Sequence, residues 1–270
     1  MERKCCSLRK YLFIFKATLI ESLQYVMNIF LGFISFFMML FVFINLWNYI
    51  YADSTKLIDG YTMNQMIWYV ILTEILWYGT RNRTLTAQIS DDIKSGTIAY
   101  GLNKPYHYIS YIIAKHIGEI AVKFVLFLMA GLAVGLLFNG PISGFHLYQL
   151  PIILLSLLLG ILINSFIRMG ISVLSFWIED CAPFHWIYDK LLIIVGIMFP
   201  VEVFPQWAQP VIRCTPIYVV SYGPAKLVID YGYRTALQIL LAQVIYLAAS
   251  YSILMLFFQK GVKQLNVNGG

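Results

Sequence analysis

The chain has 270 residues, of which 60% are hydrophobic and only 12% charged, whereas soluble globular domains run at roughly 45–50% apolar and 25% charged. That composition, with a mean hydropathy of +0.75, excludes an ordinary water-soluble enzyme and leaves no room for a soluble domain of about 100 residues, so residues 1–270 are expected to form a single membrane domain. The net charge of +6 does not signal nucleic acid, because the basic residues sit in short segments flanking apolar runs, where they set topology.

A helix needs about 20 largely apolar residues to cross a bilayer core of about 30 Å. Residues 11–25 mix apolar positions with Lys16, Glu21 and Gln24, the pattern of an amphipathic helix lying at the interface. The first span covers residues 27–50, a polar stretch follows at 53–64, and a second span covers 65–80 with Glu74 inside it. Residues 81–110 are polar, and a third span over 117–138 is closed by Asn139, Gly140 and Pro141. The fourth, residues 150–177, is long enough to cross with tilt and contains Asn164 and Arg168.

Glu179, Asp180, Asp189 and Lys190 bracket a short loop, after which residues 191–198 begin a fifth span that meets Pro200. Residues 200–225 are apolar yet broken by Pro200, Pro205, Pro210, Pro216 and Pro224. This predicts a re-entrant or interface-lying hairpin, since irregular backbone at membrane depth survives only where protein or water satisfies it. A last span covers 236–258 and ends at Gln259, Lys260 and Gly261. The expected fold is all-α, integral to the membrane, with six spans.

Lys and Arg flanking spans stay on the cytoplasmic side. An inside N-terminus gathers Arg3, Lys4, Arg9, Lys10, Lys16, Arg81, Arg83, Lys94, Lys104, Lys115, Lys190, Lys260 and Lys263 there and leaves Lys56, Arg213, Lys226 and Arg234 outside. Both termini and the long 81–115 loop are therefore expected in the cytoplasm, with the plasma membrane as host.

No G-x-x-x-x-G-K-[ST] loop occurs, so the chain has no P-loop for a nucleotide. Asp91 and Asp92 lack a third acidic ligand, and His107, His116, His146 and His185 lack zinc spacing. No metal, bound cofactor or catalytic residue is expected. Cys5, Cys6, Cys181 and Cys214 form no disulfide framework. Glu74, Lys123 and Arg168 are the ionisable residues deepest in spans, where each charge costs at least about 2.5 kcal/mol. All three fall in the inner half, so Glu74 is placed to pair with Lys123 or Arg168; either the three are structural, or they line a translocation pathway.

The segment ISDDIKSGTIAYGLNKPYHY, residues 89–108, resembles the cytoplasmic segment after span two of ABC-2 type transporter permeases. The likeness continues through residues 111–119, 199–205, Trp207, Pro216 and 258–265, and so covers most of the chain. The resemblance implies an amphipathic N-terminal helix, six spans, a coupling helix between spans two and three, and re-entrant helices before span six. It would put Asp91, Asp92, Lys94, Ser95, Gly96, Lys104 and Pro105 on or near the surface that docks a separate ATPase subunit, although an ordinary solvated loop would read the same. Pro200, Phe204, Pro205, Trp207 and Pro216 would form an extracellular gate, or only structural kinks. Two permeases, identical or related, would work with two ATPases that carry the ATP and Mg, exporting an amphipathic or lipid-like substrate or drug by alternating access. The alternative is a stand-alone secondary transporter or channel, for which the sequence offers no repeat symmetry between halves.

Overall fold

The computed structural model describes residues 2–24, 26–51, 57–58 and 60–268, with side chains at 2–8, 26–28, 83–85 and 265–268 left out of the description. Arg3, Lys4, Cys5, Cys6, Lys56 and Arg83 therefore lie outside the described side chains.

Among the described residues the chain is helical with no strand. Four helices among the described residues are long and apolar enough to cross a membrane: Ile29–Ile50, Tyr108–Phe138, Leu147–Phe176 and Tyr233–Gln264. They belong to α2 (Val26–Ile50), α6 (Tyr108–Phe138), α7 (Leu150–Val173) and α11 (Tyr233–Asn268), preceded by α1 (Glu2–Ser22). Between α2 and α6 lie α3 (Met63–Thr80), α4 (Arg83–Lys94) and α5 (Ile98–Leu102). Between α7 and α11 lie α8 (Ala182–Leu192), α9 (Ala208–Arg213) and α10 (Gly223–Ile229), with π-helical turns at Ile193–Met198 and Tyr218–Tyr222.

The central helix is α3. A capping box starts it, with Thr62 accepting from Gln65 N–H. Thirteen of its eighteen residues are buried, so it is surrounded by protein and can carry Glu74, an ionisable residue that would be costly on a lipid-facing helix. Its packing on α6 uses G131-L-A-V-G135, a small-xxx-small stripe. A Cβ on Gly131 would meet Ile75 Cδ1 at 2.5 Å, and one on Gly135 would meet the Trp68 ring at 2.3 Å. From the α3 side, Gly79 admits Phe124, whose backbone would lie 3.0 Å from an added Cβ. Phe36, Leu40, Phe43 and Trp47 of α2 join the same core, with the Phe36 ring 5.2 Å from that of Phe127 on α6.

The helix expected at residues 11–25 runs instead over Glu2–Ser22. It lies along the first half of α6, where Gly118 lets the α1 backbone approach: an added Cβ would sit 2.8 Å from Phe15 O. The polar stretch 81–110 is also helical. α4 ends in Lys94, the chain reverses at Gly96 with φ +74°, and α5 follows. Where the fifth span was expected from residue 191, α8 starts at Ala182, nine residues earlier, with a proline in its first turn where a missing N–H costs nothing.

Candidate functional site

The seven residues expected on a docking surface come together at one end of the molecule. Asp91 and Lys94 are exposed on α4, and the Asp91 carbonyl accepts from Ser95 N–H at 2.9 Å and Ser95 Oγ at 2.6 Å. Asp92 turns back instead: its Oδ2 accepts from Tyr108 Oη at 2.8 Å and its Oδ1 from Thr97 Oγ1 at 3.2 Å. Gly96 supplies the positive φ that a side chain would strain. Lys104 lies over the Tyr106 ring at 5.9 Å, and the Pro105 carbonyl accepts from Lys10 Nζ at 2.6 Å. A second clasp ties the same turn to α1, since His107 N–H donates to Tyr11 Oη at 3.1 Å.

This is a folded helical hairpin in place of a solvated loop. Its apolar side, Ile89, Ile93 and Ile98, is buried against Ile109 and Ile112 of α6, Met169 and Val173 of α7, and Leu254 and Phe258 of α11. Each buried isoleucine contributes roughly 1.5–3 kcal/mol relative to exposure. The Tyr108 ring stacks on Phe258 at 5.8 Å, almost parallel. A force on the hairpin therefore reaches three long helices through packed side chains. Tyr100, 75% exposed on α5, and Thr97 complete the outward surface, and neither stood out in the sequence.

The three deep charges do not pair with one another. Arg168 of α7 forms an ion pair with Asp189 of α8 at 2.8 Å, and Arg81 approaches the same carboxylate at 3.7 Å. Arg168 Nε donates to Asn164 Oδ1 at 3.2 Å, and its guanidinium lies 5.2 Å from the Tyr188 ring centroid and 5.9 Å from that of Trp77. The expected Glu74 pairing fails because α8 begins early enough to bring Asp189 alongside α7. Glu74 is 2% exposed, and its Oε2 has no hydrogen-bond partner among the described residues. Lys123 is half-buried on α6 and has no ion-pair partner among them.

Of the expected gate residues, four sit together and one does not. Pro200, Phe204 and Pro205 shape a short loop in which Gln209 Nε2 donates to the carbonyls of Glu202 and Phe204 at 3.1 and 2.9 Å. Trp207 follows it and is 79% exposed. Pro216 instead lines an apolar cavity of about 420 Å³ between α7 and α11. Tyr222 Oη donates to Glu202 at 2.5 Å, and Lys226 Nζ donates to Tyr61 Oη at 2.7 Å and to Asp230 at 2.5 Å. Burial, with the charge of Glu202 added, pushes the Tyr61 phenol well above its ordinary range. The irregular segment is held from α3: Tyr69 Oη donates to the Gly196 and Phe199 carbonyls at 2.9 and 3.3 Å, and Thr73 Oγ1 reaches Ile197 O at 3.3 Å. These bonds satisfy carbonyls that the end of the helix at Met198 leaves without intrahelical partners.

A family model described as "ABC-2 family transporter protein" matches residues 36–269, and the chain belongs to that family. No curated protein matches the chain. Membership makes it a multi-pass permease subunit of an ABC transporter, a family that implies pairing with an ABC ATPase in a lipid bilayer.

Proposed function

We propose that the chain is the membrane half of an ATP-driven exporter that moves an amphipathic or lipid-like substrate or drug outward by alternating access. It works as one of two permease chains beside two ATP-binding subunits that carry the ATP and Mg. The observation that carries this reading is the α4–α5 hairpin. A polar, mixed-charge surface is mounted on an apolar underside shared by α6, α7 and α11, and it is clasped to α1 through Lys10 and Tyr11.

In this reading α3 and the α8 helix with its π-helical continuation supply two crossings beyond the four apolar helices. α1 lies at the cytoplasmic interface, α4–α5 is the coupling element, and residues 200–229 form the re-entrant exit gate. The plasma membrane holds the chain with both termini inside. Closure of the ATPase dimer pushes the hairpin, and the helices it rests on shift the pathway from inward to outward. Arg168 and Asp189 hold α7 to α8 as a structural pair, while Glu74, whose Oε2 has no partner among the described residues, and Lys123 are left to meet cargo.

The test is ATP-dependent uptake of amphipathic fluorescent dyes into inverted vesicles from cells producing the chain with its ATPase. Accumulation that requires hydrolysable ATP and falls with Glu74→Gln supports the exporter. Accumulation driven by an ion gradient without ATP would favour the stand-alone transporter.

A further inference from the structure

A groove of about 420 Å³ runs between α7 and α11, bounded by Phe166, Gly170, Pro216, Ile253, Leu254 and Phe257 among others. Phe166 and Leu254 are buried, whereas Ile253 and Phe257 are 51% and 38% exposed, so the groove opens sideways toward the bilayer. Gly170 forms its notch, since nothing lies within 4 Å of an added Cβ. The side-chain hydroxyls in the lining are already used: Ser250 Oγ donates to Leu247 O at 3.2 Å and Tyr246 Oη to Cys214 O. A polar occupant would give up its water and gain little in return, so the groove suits hydrocarbon. Its volume lies among those of small-ligand sites, roughly 300–1,000 Å³. Along α11 it reaches from Tyr246 to Phe257, a rise of about 16 Å, the depth of one leaflet of a hydrocarbon core about 30 Å thick.

The end at Phe257 continues into polar groups on the same helix face. Lys260 lies three residues past Phe257 and seven past Ile253, and Gln264 lies seven past Phe257, spacings that share one face of a helix; both side chains are exposed. The Trp177 ring meets that of Phe257 edge-on at 5.8 Å and is 42% exposed, the placement of an indole at headgroup depth. No ion pair among the described residues uses Lys260. Lys260 and Lys263 stand against the carboxylate of Glu179, two residues past Trp177, which leaves one net positive charge; Asp180 lines a separate cavity beside α4. A second copy of the chain fits this face poorly. Two chains in one membrane share their orientation, so a two-fold contact here would set groove against groove and Lys260 against Lys260.

We infer that a phospholipid with an anionic headgroup is resident at this site, with one acyl chain in the groove and its phosphate at Lys260. Pro216 touches the far end of that acyl chain, so the lipid bears on residues 200–229, the segment read as the exit gate. Reading the α4–α5 end as cytoplasmic makes it a lipid of the inner leaflet.

The test is native mass spectrometry of the full chain, purified in mild detergent and supplied with phosphatidylglycerol or phosphatidylcholine of identical acyl chains. Wild type is expected to keep one phosphatidylglycerol, about two- to fivefold more tightly than phosphatidylcholine. Gly170→Leu, which fills the notch, should weaken both lipids severalfold, and Lys260→Gln should bind the two alike. Leu241→Phe, at an exposed position of α11 away from the groove, should match wild type. Equal retention by Gly170→Leu and Leu241→Phe, or a wild type that holds both lipids equally, would overturn the proposal. A wild-type dimer that Gly170→Leu dissociates would overturn it in favour of a second copy. If Gly170→Leu does not stay monodisperse, the loss of preference in Lys260→Gln decides alone. Retention needs neither an ATPase nor a known orientation, so failure of the exporter reading would leave this result standing.

Discussion

Removing Asp189 should damage this protein more than removing Arg168, although the two form one ion pair. At 2.8 Å and an effective dielectric near 20 the gross attraction is about 6 kcal/mol, which desolvation of two groups only 7% and 11% exposed largely cancels. Deleting one partner is different, because it strands a buried charge at about 3–5 kcal/mol. Asp189→Asn strands Arg168 with only Asn164 and two aromatic faces, and leaves Arg81 beside it. Arg168→Gln leaves Asp189 still facing Arg81 at 3.7 Å. With about 2–4 °C per kcal/mol for a chain of this size, Asp189→Asn should lower the melting temperature in detergent by roughly 6–20 °C. Arg168→Gln should lower it by about half as much. The double variant Arg168→Met/Asp189→Leu, with no charge left to strand, should melt above Asp189→Asn. An Arg168→Gln protein no more stable than Asp189→Asn, or a double variant whose loss equals the sum of the singles, would refute the reasoning.

Gly135→Ala should cost about 1–3 kcal/mol, because its Cβ must displace the Trp68 ring from 2.3 Å, read as a fall in melting temperature. Gly170→Ala, with nothing within 4 Å of the new Cβ, should instead gain about 0.5–1 kcal/mol of helix stability in the same assay. Tyr69→Phe should lose about 1–2 kcal/mol by orphaning carbonyls of the π-helical turn, with faster hydrogen exchange confined to residues 193–199 as its signature.

The apolar runs of α2, α6, α7 and α11 were legible because about 20 consecutive apolar residues have few other uses. Helices α4 and α5 were not legible from composition, and only the family resemblance implied a coupling helix there. Their polar faces hide an Ile89, Ile93 and Ile98 stripe too short to stand out beside the spans. Asp189 looked like a loop residue, and its role depended on where α8 began. The signal was present in Asp180, whose carboxylate forms the turn into α8, and Pro183, which suits a first helical turn. The G131-to-G135 stripe was equally readable and passed over. That Glu74 Oε2 has no hydrogen-bond partner among the described residues could not be read from sequence, because it depends on which helices surround α3.

The measurement closest to the central claim is ATP hydrolysis by the complex that co-purifies with the tagged chain, compared across wild type, Asp92→Ala and Gly96→Val. Asp92 holds Tyr108 and Thr97, and Gly96 holds the hairpin reversal. A P-loop subunit should co-purify with wild type, and both changes should cut permease-stimulated turnover severalfold while the chain stays monodisperse. A chain that purifies alone, or a complex whose turnover ignores both substitutions, would contradict the account.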